Sequence, residues 1–163
     1  MLLWETIKAE FAWEGSWRDI CVPDVDLDGW QAAMSALEAS GRTGKLTVGE
    51  NASSASVDVA TLFGIEDRAA VLWSIEIGGV VLACHFFDQS EIEFDLDPRE
   101  VKGQAEIDAL LGFMQNIASA TGKFALMTPE NMHSAPFVRV SPAGSVEYIS
   151  SGGFFEELAR EHK

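Results

Sequence analysis

The run Glu91-Ile92-Glu93-Phe94-Asp95-Leu96-Asp97 alternates acid and apolar residue without exception. Side chains along a strand point to its two faces in turn, so this run is a strand that turns Ile92, Phe94 and Leu96 toward a core and four carboxylates outward. Pro98 has no amide hydrogen to give a ladder and ends the strand. Asp97 with Glu100 can cap a turn that begins at Pro98.

Other segments carry the same period of two. Residues 71–77 and 80–87 flank Gly78-Gly79, and two glycines take the positive φ values that a two-residue hairpin turn requires. Val80-Val81-Leu82-Ala83-Cys84 is apolar at every position, which predicts a central strand covered on both faces. Leu46 with Val48, and Val57 with Val59, read as two short strands joined by a polar loop over 49–54. Near the N-terminus Ile7, Ala9, Phe11 and Trp13 alternate with Lys8, Glu10 and Ala12, and a second apolar run follows the break at Glu14-Gly15-Ser16 as far as Pro23. That spacing predicts a β-hairpin. Further short strands are expected around 124–126, 137–140 and 146–149.

Elsewhere the period lengthens. Trp30, Ala33, Met34 and Leu37 share one face of a helix starting at Asp28, with Gln31 completing a capping box and Gly41 ending it. Ile107, Leu110, Leu111, Met114, Ile117 and Ala118 mark a long helix between Gly103 and Gly122, whose stripe should cover one face of the sheet. A terminal helix spans about 154–161. Hairpins and meander strands with helices inserted between groups favour an antiparallel sheet over βαβ alternation. The expected fold is α+β, one domain over residues 1–163, with a long helix packed on a largely antiparallel sheet and two shorter helices.

The 163 residues include 26 Asp and Glu against 11 Lys and Arg, a formal charge of −15, while 47% are apolar. This is the composition of a folded domain, and its charge repels nucleic-acid phosphate and anionic lipid. Neither partner is expected. Cys21 and Cys84 form no CxxC pair, and the first residues lack a basic and apolar leader, so the expected location is the reducing cytoplasm. The apolar stretch over 69–87 is interrupted by Glu76 and two glycines and is too broken to span a membrane.

Several residue sets bear on chemistry. Asp24-Val25-Asp26-Leu27-Asp28-Gly29 matches the opening of an EF-hand loop, but the twelfth position is Ser35, so these aspartates read as loop and cap residues, with weak divalent binding as the other reading. Cys84 and His85 are adjacent in a strand and point to opposite faces, so they cannot share a metal. His133 falls in a turn and His162 at the end of the chain. No local nucleophile with its base, phosphate loop or dinucleotide fingerprint is present, and no catalytic residue, cofactor or metal is assigned. Trp30 and Trp73 belong to the core, with Trp13 and Trp17 as candidate interface anchors. The row Glu91, Glu93, Asp95 and Asp97 is the candidate partner-binding site. Like charges about 7 Å apart on one face repel. Such a row can keep strands from pairing edge to edge, pair with the cations of a basic partner, or supply catalytic carboxylates; the last needs a cleft that a solvated row does not offer.

At Trp17-Arg18-Asp19-Ile20, Asp28-Gly29-Trp30, residues 91–100 and Leu126-Met127-Thr128-Pro129-Glu130-Asn131, the chain resembles a group of small bacterial proteins, some of them similar to immunity proteins of polymorphic toxin systems. The resemblance implies a cytoplasmic protein that neutralises a toxin by covering its active surface, and it assigns no site residues. Arg18 and Arg99 are open to a structural reading, paired with nearby acids.

The function expected from these observations is that of a non-enzymatic acidic protein that binds a basic partner. Residues 88–108 contain eight acids against Arg99 and Lys102. The alternative is a small-molecule-binding or catalytic pocket assembled from residues distant in sequence, such as Asp19, His85, Arg99 and His133.

Overall fold

A computed structural model describes residues 1–42, 44–53 and 56–161. His162 and Ser54 of the polar loop lie outside the described residues. The chain opens with one helical turn, α1 (Trp4–Ile7), that runs into a 3-10 turn (Lys8–Phe11) before the first strand, β1 (Arg18–Pro23). This corrects the N-terminal hairpin. The apolar residues at 7 and 11 are spaced for one helical face as well as for a strand, and tertiary packing of Ile7 and Phe11 into the core selects the helix.

Helix α2 (Leu27–Ala39) starts earlier than expected, because the Asp26 side chain, not that of Asp28, accepts from the Gly29 amide. Gln31 makes no capping box. Its amide group instead donates to Val57 O and accepts from Val59 N, pinning a segment whose spacing alone fits a strand. Val59 therefore begins α3 (Val59–Phe63), capped by Asp58, and the strand partner of β2 (Lys45–Val48) is β3 (Asn51–Ser53).

The remaining elements follow the sequence closely. Strands β4 (Val71–Ile77) and β5 (Val80–Asp88) meet at Gly78 and Gly79, with φ of 56° and 90°, and β6 (Glu91–Leu96) ends where Asp97 caps a 3-10 turn over Pro98–Glu100. Helix α4 (Gln104–Thr121) closes on Gly122 at φ 68°. Three strands, β7 (Ala125–Pro129), β8 (Val138–Val140) and β9 (Val146–Tyr148), precede α5 (Phe154–Glu161). The described residues thus hold five α-helices, two of them a turn or little more, where three were expected.

All nine strands join one sheet in the order β3-β2-β4-β5-β6-β1-β7-β8-β9, and every neighbouring pair is antiparallel. Helices α2 and α4 lie against each other, and aromatic pairs tie them to the sheet. Trp30 stacks on Phe86 at 5.0 Å and Phe113 meets Phe94 edge-on at 5.0 Å. Buried residues on α4 such as Ile107, Leu110, Phe113 and Ile117 each contribute about 1.5–3 kcal/mol by leaving water. The helical cover is one-sided. Along β4, β5 and β6 every second residue stays at least partly exposed, the apolar Val81 and Phe87 among them, which corrects the expectation that β5 is covered on both faces. Its consecutive apolar residues put Leu82 and Cys84 into the core and leave Val81 and Ala83 on the uncovered side.

Candidate functional site

The acid row sits in the middle of the sheet, because β6 is the fifth of nine strands. Edge protection therefore has no role here. Glu91, Glu93 and Asp95 project from the side opposite the helices, and cross-strand register sets their neighbours: Asp19 faces Asp95, Cys21 faces Glu93 on β1, and His85 on β5 faces Glu93 from the other flank. Asp97 lies beyond the strand. It caps the following turn, pairs with the Arg99 guanidinium at 2.8 Å, and that bond holds its carboxyl below the usual range. The sequence-predicted row is thus three residues of a larger cluster plus one capping residue.

The row is neither free nor fully solvated. Glu91, Glu93 and Asp95 keep 28, 23 and 24% of their side-chain surface exposed, and two histidines engage them. His85 Nε2 lies 2.9 Å from Asp95 Oδ2, and its ring stacks on Phe87 at 4.9 Å with the two planes nearly parallel. His133 comes from the turn after β7. That turn is bent by Asn131 at φ 58°, a left-handed conformation that asparagine tolerates, and its amide donates to Asp19 Oδ2 at 2.9 Å. The preceding Glu130 accepts from the Trp17 amide. Held this way, His133 points Nε2 at Asp19 Oδ2 at 2.9 Å, with Glu93 Oε1 at 3.9 Å, and Nδ1 at Glu91 Oε1.

Electrostatics follow from this crowding. The hydrogen bond to Asp95 is the main cause raising the His85 pKa above its ordinary value, against an opposing pull from burial. For His133 burial alone would lower the pKa, but the Asp19 hydrogen bond and the charges of Glu91, Asp19 and Glu93 together outweigh it and raise it. Carboxylates on both nitrogens favour the imidazolium form of the ring. Glu93 shifts up through burial and then the Asp19 charge, so it resists ionising. Burial pushes the Cys21 thiol far up, with Glu91, Asp19 and Glu93 adding to the effect. That thiol is no nucleophile as it stands.

Of the four residues expected in a distant-residue pocket, Asp19, His85 and His133 come together. Arg99 does not; its guanidinium pairs with Asp97 and stacks on Trp13 at 3.8 Å. Cys84 and His85 point to opposite faces, as their spacing requires, with Cys84 in the core. Asp24, Asp26 and Asp28 serve the β1–α2 connection, Asp24 at φ 61° and Asp26 as cap, and they are not among the described residues whose ligand atoms converge. Sequence reasoning misses the tie between β6 and the 130–136 turn, and with it Cys21 and Glu91 as neighbours of His133. The one available signal is the alternation Arg18-Asp19-Ile20-Cys21-Val22, which puts Asp19 and Cys21 on the side away from the core.

The other polar feature of β1 faces the helices. Arg18 is fully buried, its Nε donates to Glu10 O, Nη2 to Ala12 O, and Nη1 to Ser16 O and to Glu14 Oε1, and Phe155 covers the guanidinium at 3.5 Å. Arg18 is structural: it fastens the N-terminal turns to the sheet and to α5.

Across protein-family models, curated proteins and solved structures, nothing matches the chain.

Proposed function

We propose that the protein is a non-enzymatic binding module that presents the uncovered side of its sheet to a basic partner, in the manner of an inhibitor. The observation that carries this reading is the position of the acid cluster. Glu91, Glu93 and Asp95, each partly exposed, occupy the centre of a sheet face that carries no α2 or α4 cover, with Asp19 buried beside them against Asn131 and His133, and with the exposed apolar side chains of Val81 and Phe87 on the same side of β5. Central polar anchors beside apolar residues are the anatomy of a protein-binding surface. Arg or Lys side chains of a partner would meet carboxylates already held in place by histidines, and the chain charge of −15 would steer the encounter. No helix among the described residues is long and apolar enough to cross a membrane. The resemblance to immunity proteins supplies a class for the partner, a toxin domain with a basic active surface.

A non-enzymatic role is supported by the state of the candidate groups. Both ring nitrogens of His133 are taken by carboxylates, and burial keeps Cys21 protonated. Neither is poised as base or nucleophile.

The test is capture of the tagged protein's partners from its host extract at low salt, followed by stopped-flow association with the basic protein that elutes stoichiometrically. Glu93→Gln with Asp95→Asn should slow association about tenfold at low salt and converge with the parent at high salt, the behaviour of electrostatic steering. Equal rates at low salt, or no stoichiometric basic protein, would overturn the reading.

A further inference from the structure

The cluster under the 130–136 turn has more negative groups than its cations match. Three carboxylates, Asp19, Glu91 and Glu93, surround the single imidazole of His133, and the Cys21 sulfur lies within the same group with no exposed surface. Glu91 Oε1 is itself buried and accepts no aligned hydrogen bond, although His133 Nδ1 is its neighbour. The ligand atoms of Asp19, Glu93 and His133 all lie within 4.8 Å of one another, a convergence of one nitrogen and two carboxylate oxygens from three separate segments of the chain.

We propose that His133 Nε2, Asp19 and Glu93 bind one divalent transition-metal ion, with Glu91 as the positioning carboxylate on His133 Nδ1. The geometry is already close. Tetrahedral ligands with bonds of about 2.1 Å stand about 3.4 Å from one another. Nε2 lies 2.9 Å from Asp19 Oδ2 and 3.9 Å from Glu93 Oε1, values on either side of that spacing. Metal-bound histidines give their second ring N–H to a carboxylate, which fixes the tautomer and raises ligand basicity, and Glu91 stands where that carboxylate belongs. Glu93 and His133 keep part of their side chains exposed, so an ion can enter and a fourth position stays open to water or a partner's group. One imidazole beside two carboxylates favours zinc, cobalt, iron or manganese over calcium and magnesium, which take oxygen alone. On binding, the metal replaces the Nε2 proton, which leaves to solvent, while the Nδ1 proton stays toward Glu91.

This inference goes beyond the partner reading and does not depend on it. The test is calorimetric titration of the chelator-treated protein with Zn2+ at pH 7, with Co2+ absorption as a second probe. One Zn2+ per chain is expected, with a Kd of about 1 μM or tighter, and with visible cobalt bands of a low-symmetry site. His133→Gln should abolish the binding, and Glu91→Gln should weaken it about 10- to 100-fold. Melting of both variants without metal, close to that of the parent, establishes that they are folded, and a Zn2+-induced rise in Tm confined to chains that retain His133 supports the assignment. Absence of saturable binding, or unchanged binding in His133→Gln, would overturn it. A thiolate-to-cobalt charge-transfer band would also overturn the ligand set, in favour of Cys21, Glu91 and His133.

Discussion

Arg18→Ala is the substitution whose effect the structure specifies most fully. The guanidinium is fully buried and donates to four main-chain carbonyls, those of Glu10, Ala12, Ser16 and Trp17, and to the Glu14 carboxylate at 2.9 Å. Burial lowers its pKa from the free value, opposed mainly by Glu14, so the charge is held by its partners and not by water. Truncation to alanine takes the guanidinium donors from those carbonyls and leaves the Glu14 carboxylate with the Ser16 amide and hydroxyl but no cation, in a space that Phe155 closes. Breaking a buried pair from one side costs about 3–5 kcal/mol, against a total stability of about 5–15 kcal/mol for a domain. Urea unfolding followed by tryptophan fluorescence should therefore show a loss of that size. Arg18→Lys should lose nearly as much, since one ammonium cannot reach carbonyls that the planar fork reaches in three directions. Glu14→Gln should lose only about 1 kcal/mol, because an amide oxygen still accepts from Nη1. A loss below about 1 kcal/mol for Arg18→Ala would mean that water replaces the guanidinium, and would refute the argument that this side chain fastens the N-terminal turns.

Two further outcomes follow from groups on either side of the sheet. His85 and His133 both have pKa values raised by folding, so their contribution to stability is complete below the ordinary histidine value of 6.5 and is lost as pH rises through the folded values. Glu93, whose pKa folding also raises from 4.5, acts in the same direction. Tm should fall as pH rises from 6 toward 9, and His85→Gln with His133→Gln should flatten the slope; a rising Tm over that window contradicts the assigned pairs. Gly44→Ala drives a Cβ into the ring of Trp73, which is 2% exposed and cannot retreat into solvent. Overpacking of this kind should destabilise by about 1–3 kcal/mol in urea unfolding, and an unchanged midpoint would show that the 44–45 segment shifts freely.

Elements whose pattern is long and one-sided are legible in the amino-acid sequence. The 3.6 period from Ile107 to Ala118 with glycines at both ends is α4, and strict alternation over 91–96 is β6. Short segments are not legible, because seven or eight residues fit two periods at once. Ile7 and Phe11 satisfy a helical turn as well as a strand, and Val57 with Val59 satisfies a strand until Gln31 captures the main chain on both sides. The contest is decided by groups distant in the chain, Gln31 for Val57 and Val59 and Phe137 for Phe11, and no local window contains them.

The same division holds at the site. By itself the sequence determined that one strand would carry a row of carboxylates on the face away from the core, since the direction of each side chain follows from backbone geometry alone. It also determined that Cys84 and His85 could not share a ligand. Only the tertiary structure decided that the row lies at the centre of the sheet and not at its edge, that Asp97 leaves it for Arg99, and that His133 comes down on Asp19, Glu91 and Glu93 from a turn about 40 residues later in the chain than the row. Strand order and the path of a connecting turn are set by burial summed over the whole chain, in which the helices take one face of the sheet and leave the charged groups to satisfy one another on the other.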